Sequence, residues 1–251
     1  MESTLSILPP MSVEKVLRQA WQLYRQFFLR FVLIAAVVFS VLELFSAVSE
    51  SSAHAGHWTM TALWGIASFL LWIVGTFWLQ GALVEAVQDA RDGRTEVSIE
   101  ELYARVRPLL PALIAAGLAA AIGIVFGLVL LVVPGLVLMT RWILIVPVIV
   151  LEKKSAGEAF NRSWELVKGS GWSVFGLILL TMIVLGVGSS LVGVLLFPLS
   201  VLSRVLATWI VGTITSSLIA PLVALSWTFA YFELAREQVR PSATMMPPIQ
   251  V

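Results

Sequence analysis

The sequence contains no cysteine, so it has no disulfide framework, no thiolate nucleophile and no thiolate metal site. Charge is scarce too: Asp, Glu, Lys and Arg make up 12% of the 251 residues, about half the share of an ordinary soluble domain. The scarcity is uneven. No charged residue occurs from Trp58 to Val84, Pro108 to Thr140, Gly169 to Ser203, or Val205 to Phe232. A net charge of +1 provides no concentrated basic face of the kind that nucleic-acid phosphates require, which excludes nucleic acid as a partner. Gly-rich phosphate loops, HExxH, GxSxG and Asp-rich metal clusters are all missing. These absences lead to the expectation of a non-enzymatic protein with no cofactor and no bound metal.

What is present is apolar: hydrophobic residues make up 59% of the chain. A soluble fold of this length has no interior large enough for so much apolar surface, whereas a bilayer accepts it. A spanning helix needs about 20 mainly apolar residues, and each charge-free stretch is long enough. The sequence therefore reads as all-α, a polytopic membrane bundle with six spans at 27–48, 58–84, 108–133, 135–152, 172–197 and 205–232. Glu43 and Arg141 interrupt the first and fourth spans. Proline marks two corners, Val133-Pro134-Gly135 and Phe197-Pro198, because it removes a backbone donor and clashes with the preceding turn. The first ten residues lack the charged start and short apolar core of a cleaved signal peptide, so the first span is expected to stay in the mature protein.

Lysine and arginine set the orientation. Lys15, Arg18, Arg25 and Arg30 precede the first span. Arg91, Arg94, Arg105 and Arg107 lie between the second and third. Lys153, Lys154, Arg162 and Lys168 lie between the fourth and fifth, and Arg236 and Arg240 follow the sixth. Fourteen of the sixteen basic residues thus fall on one side, which is expected to be cytoplasmic and to carry both termini.

Three segments on that side resemble one another: SVEKVLRQAWQLY from Ser12, SIEELYARVRPLL from Ser98 and SAGEAFNRSWELV from Ser155. Aligned on the serine, Val16, Leu102 and Ala159 correspond, as do Ala20, Val106 and Ser163. Such offsets trace one face of a helix. The serine is an N-cap candidate, and Glu101 and Glu158 stand three residues on, as in a capping box. The reading is a pseudo-threefold repeat of three units, each an amphipathic helix (near 12–26, 98–107 and 155–168) followed by a membrane hairpin. These helices are expected either in the interface with apolar stripes toward lipid, or packed on one another as a cap. Residues 1–240 are expected to form a single domain and 241–251 a flexible tail.

Candidate functional residues are few. Glu43 and Arg141 lie at similar depth, so they are expected either to pair as a structural clasp, to line an outward-facing polar pocket, or to reach separately toward the headgroups. Glu85, Glu152 and Glu233 each stand near the cytoplasmic end of an even-numbered span. They suit salt bridges to the basic helices, or a ring of acids receiving a cation or proton. Glu50, His54 and His57 share the first outer loop, where the residue types admit Zn²⁺ or pH sensing, although such residues are common in polar loops. Gly123 and Gly127 in the third span, and Gly186, Ser190 and Gly193 in the fifth, suit close helix packing or a contact between two copies of the chain.

From Pro134 to Phe175 the sequence resembles the bacterial membrane domains attached to glycerophosphodiester phosphodiesterases and their stand-alone YciC-like relatives. The resemblance rests on Pro134-Gly135, Arg141-Trp142, Pro147-Val148, Glu152 and the run Arg162-Ser163-Trp164-Glu165-Leu166 ending in Lys168-Gly169. It implies a polytopic helical bundle of the bacterial inner membrane, without the soluble domain that carries phosphodiesterase chemistry. The functional expectation is a scaffold whose partners are membrane lipid, a cytoplasmic protein or a second copy. The alternative is a transporter or lipid-handling protein with its site near Glu43 and Arg141.

Overall fold

The computed structural model describes residues 11–94, 96–201 and 203–244. Among them, ten α-helices follow in chain order and no strand occurs. The first five are α1 (Val13–Gln26), α2 (Phe28–His54), α3 (Trp58–Arg91), α4 (Ile99–Val106) and α5 (Leu110–Leu130). The rest are α6 (Val132–Trp142), α7 (Ile145–Glu152), α8 (Ala156–Val167), α9 (Gly171–Leu196) and α10 (Arg204–Thr244). Among the described residues, six stretches are long and apolar enough to cross a membrane: Phe28–His54, Trp58–Arg91, Ile99–Leu130, Val132–Glu152, Gly171–Leu199 and Arg204–Gln238. The expected signal-free start lies outside the described residues, as do residues 245–251 of the expected tail, while residues 241–244 of that tail continue α10.

The corners differ from the expectation in one place. Pro134 is not the turn between the third and fourth spans. The turn is Leu131, extended at φ −156° and ψ 133°, and Pro134 sits in the first turn of α6, where its missing N–H leaves nothing unsatisfied. The fourth span is also two helices. It breaks at Ile143 and Leu144, the positions four and three residues before Pro147. A proline ring collides with the carbonyl four residues back, which places the break there. The third span, by contrast, grows almost continuously from α4 through a 3₁₀ turn at Arg107–Leu109.

Packing inside the apolar zone is tight where residues are small. Lipid tails give apolar side chains little reason to leave them, so contact between spans relies on close approach and shape. The α5–α6 hairpin closes on Gly127 and Gly135: a Cβ on Gly127 would lie 3.0 Å from the Gly135 Cα, and one on Gly135 only 2.6 Å from the Leu128 backbone N. Gly123 receives the Trp142 ring. The fifth-span set behaves differently. A Cβ at Gly186 or Gly193 would meet nothing within 4 Å, and the Ser190 hydroxyl bonds back to Gly186 of its own helix.

The three short helices α1, α4 and α8 do not turn their apolar faces to lipid. Val16, Leu102 and Ala159 are buried, as are Ala20, Val106 and Ser163. These faces pack on spans instead: α1 on α10, α4 on α3, and α8 on α5, α6 and α7. Serine caps start all three. Ser12 and Ser98 accept from the backbone N–H groups of Lys15 and Glu101, and Ser155 forms a full capping box with Glu158.

Candidate functional site

Of the residues that carry the family resemblance, Arg141, Trp142, Glu152, Arg162, Ser163 and Trp164 converge in space, whereas Pro134 and Gly135 lie at the α5–α6 turn. The break after Trp142 lets α6, α7 and α8 meet as a three-helix knot. Buried Ser163 on α8 donates to the carbonyl of Arg141 at 2.7 Å. The Trp142 ring meets Phe160 edge-on at 4.9 Å. The Arg162 guanidinium donates to both oxygens of Glu152, at 3.0 and 3.2 Å, and to the Gln238 side chain at 2.7 Å. Tyr231 donates to the same Glu152 at 3.0 Å, which ties α10 to the knot. Arg141 lies 4.9 Å over the Trp164 ring, and one of its nitrogens reaches the Trp164 carbonyl at 3.5 Å. Among the described residues it forms no salt bridge.

Beside this arginine runs a groove of about 540 Å³ between α6 and the start of α9, lined mainly by apolar side chains including Val137, Trp172 and Phe175. Gly169 and Gly171 form part of its wall. Trp172 stands 87% exposed.

Glu85, Glu152 and Glu233 each meet a cation from a short helix or the loop that leads into one. Glu85 pairs with Lys153 at 2.7 Å, Glu152 with Arg162, and Glu233 with Lys15 of α1 at 2.5 Å. No cluster of three potential metal ligands occurs among the described residues.

Glu43 and Arg141 do not come together. Glu43 points from α2 to α10, where it accepts from the Ser216 hydroxyl at 3.0 Å. A Cβ on Gly212 would lie 2.5 Å from its oxygen. Arg141 points the other way, to α8. Equal depth along two helices does not fix which neighbour each side chain faces, and here they face different ones. In the first hairpin, His54 has both ring nitrogens engaged, one with the Glu50 carbonyl at 2.8 Å and the other with Arg204 at 3.3 Å. His57 is exposed.

Two features went unseen in the sequence. Asp89 is fully buried and is held by Arg105 at 3.0 Å and Arg94 at 3.3 Å. It stands in a polar run that reads as an ordinary solvated helix end, and only its i+4 spacing from Glu85 hints at a shared inner face. The chain's three tyrosines are all staples between helices. Tyr24 donates from α1 to the Leu218 carbonyl at 2.8 Å, Tyr103 from α4 to the Ile34 carbonyl at 2.7 Å, and Tyr231 to Glu152. Burial pushes the Tyr24 hydroxyl up to about 12, so it stays a donor at any ordinary pH.

Six apolar crossings around a short-helix collar define a multi-pass integral membrane domain. The family model for the membrane domain of glycerophosphoryl diester phosphodiesterase matches residues 109–236, which is α5 through most of α10 and just over half of the chain. The chain belongs to that family. It matches no curated protein and no solved structure.

Proposed function

We propose that the chain is a non-enzymatic scaffold of a bacterial cytoplasmic membrane, with both termini and all three short helices on the cytoplasmic side. The observation that carries this is the fastening of the short helices. Each buries one face on the spans, and α1, α4 and α8 are further held by Lys15–Glu233, Arg105–Asp89 and Arg162–Glu152. A collar held in this way is a fixed platform, whose outward polar face meets anionic headgroups or a cytoplasmic protein. Pairing of Glu85, Glu152 and Glu233 with cations supports a structural role for these acids over a catalytic or ion-receiving one. The bias of basic residues to this end supports the orientation.

The three units read as a repeat. Support comes from equivalent burial: the fourth residue past each serine (Val16, Leu102, Ala159) and the eighth (Ala20, Val106, Ser163) are all buried, at 1% exposure or less.

The absence of cysteine makes the test clean, because a single introduced thiol is the only one present. Gly157→Cys on α8 and Ala55→Cys in the first hairpin are both at exposed positions. A membrane-impermeant maleimide added outside intact cells is expected to label Ala55→Cys and to reach Gly157→Cys only after the membrane is opened. The reverse pattern overturns the orientation. Ser216→Cys, beside Glu43, is expected to resist the reagent from both sides. Labelling of that position from both sides in turn would replace the scaffold with a transporter.

A further inference from the structure

We infer that the groove between α6 and α9 is a binding site for a membrane phospholipid with an anionic headgroup, held by Arg141. The inference stands apart from the scaffold reading and from the membrane orientation. It starts from a charge imbalance. Arg141 belongs to the fourth span, nine residues from its start at Val132, about 14 Å along the helix. A cation inside a span faces a partner or a wet cavity, since hydrocarbon solvates it poorly. Every carboxylate that the collar uses is matched to another base, and Arg141 forms no salt bridge among the described residues. Among the described residues its guanidinium makes one hydrogen bond, a long 3.5 Å contact to a carbonyl, and the Trp164 ring beneath it supplies only a π face. A guanidinium has five N–H donors in a planar fork that suits a phosphate, so most of its capacity remains available.

The groove supplies the other half of an amphiphile's requirement. Its volume of about 540 Å³ lies in the range of small-molecule sites, and its wall is mostly apolar. Val137 and Phe175 offer the surface an acyl chain prefers, Arg141 stands at its edge, and Trp172 projects at the rim. Exposed tryptophans favour the headgroup region of a bilayer. Gly171 keeps the wall open: a Cβ there would meet nothing within 4 Å. A cation with unused donors next to an apolar trough inside a membrane span fits an anionic phospholipid on charge and on polarity. A zwitterionic lipid brings its own cation against Arg141, and a soluble anion leaves the trough unfilled.

The test is native mass spectrometry of the full chain released from nanodiscs of phosphatidylcholine and phosphatidylglycerol in equal parts. The expected result is one phosphatidylglycerol retained per chain after bulk lipid is stripped. Arg141→Gln is expected to lower the retained ratio of phosphatidylglycerol to phosphatidylcholine at least about tenfold, the loss of a charge-assisted hydrogen-bond set. Arg141→Lys retains part of the preference. Gly171→Leu, which fills the trough and leaves the arginine in place, also loses the lipid, and circular dichroism checks that each variant is helical. If Arg141→Gln fails to fold, Gly171→Leu decides. Arg204→Gln, at the opposite end of the bundle, keeps the parent ratio. Equal retention of both lipids in the parent overturns the proposal, as does an unchanged ratio in Arg141→Gln. So does a lipid-free dimer, which makes the groove a contact between copies. Binding of inorganic phosphate with no lipid also overturns it, as a site for a soluble anion.

Discussion

The two ends of the charge distribution follow different rules. In the collar, acids and bases come matched: Asp89 with two arginines, Glu152 with Arg162, Glu85 with Lys153 and Glu233 with Lys15. Inside the spans they come singly, with Glu43 answered by a serine hydroxyl and Arg141 by a tryptophan. The difference teaches what each region depends on. The collar is rich in charged side chains, and there apolar burial and charge pairing both stabilise contacts. The interior faces lipid, where close approach of backbones does more than burial, and where a lone charge is an expensive thing to keep without a ligand or a polar neighbour.

The comparison breaks most visibly at Asp89. Asp89→Asn strands two arginines around a site with 1% side-chain exposure. Thermal unfolding in detergent is expected to show a loss of about 3 kcal/mol, the low end for a broken buried ion pair because Arg94 is largely solvated. On the lipid side the largest expected effect comes from shape alone. Gly135→Ala drives a methyl into the Leu128 backbone, at a cost of about 2 kcal/mol typical of overpacking; a cysteine cross-link between α5 and α6 then forms more slowly. Arg162→Gln removes a partly exposed pair and is expected to cost about 1 kcal/mol after solvent screening, seen as earlier loss of α8 protection in hydrogen exchange.

Glu43→Gln sharpens the contrast by doing little. The Ser216 hydroxyl can bond to an amide oxygen as well as to a carboxylate, so a change within about 0.5 kcal/mol is expected. A loss as large as that of Asp89→Asn would mean that the interior charge is structural after all. The smallest expected effect depends on pH. Ser155 side-chain and backbone donors hold the Glu158 carboxyl below its usual range. Because the folded value is depressed, the capping box contributes fully above the ordinary carboxylate value of about 4.3, and the contribution disappears as pH falls through the folded value. Amide exchange in the first turn of α8 should therefore quicken in acid, and Ser155→Ala should remove that pH dependence.

Much of the fold was legible because it rests on composition. Charge-free stretches mark where water is excluded, and serine caps mark where three short helices start. The fourth-span break was less legible, since a proline inside a span can kink a helix or end it, and only the structure shows the stop at Ile143 and Leu144. The candidate site was legible in its members but not in their partners. Arg141, Trp142, Arg162, Ser163 and Trp164 stood out and do converge, yet the association of Glu43 with Arg141 did not hold. Sequence gives a residue's height along a helix, but the neighbour it faces depends on how the helices pack around it. Asp89 stayed hidden for a similar reason, because a carboxylate at a helix end looks solvated until another helix covers it.

The spans are of unequal length, and this shapes the bilayer around them. The charge-free part of α10, Val205 to Phe232, is about 42 Å long, while the whole fourth span from Val132 to Glu152 reaches about 31 Å even before its break. A hydrocarbon layer is about 30 Å thick. The longer α10 is expected to lean or to thicken the layer beside it, whereas the fourth span is close to the thickness of the layer. The mismatch is thus confined to the α10 side, and a tilt or a thickened layer there is what any neighbour diffusing past would meet.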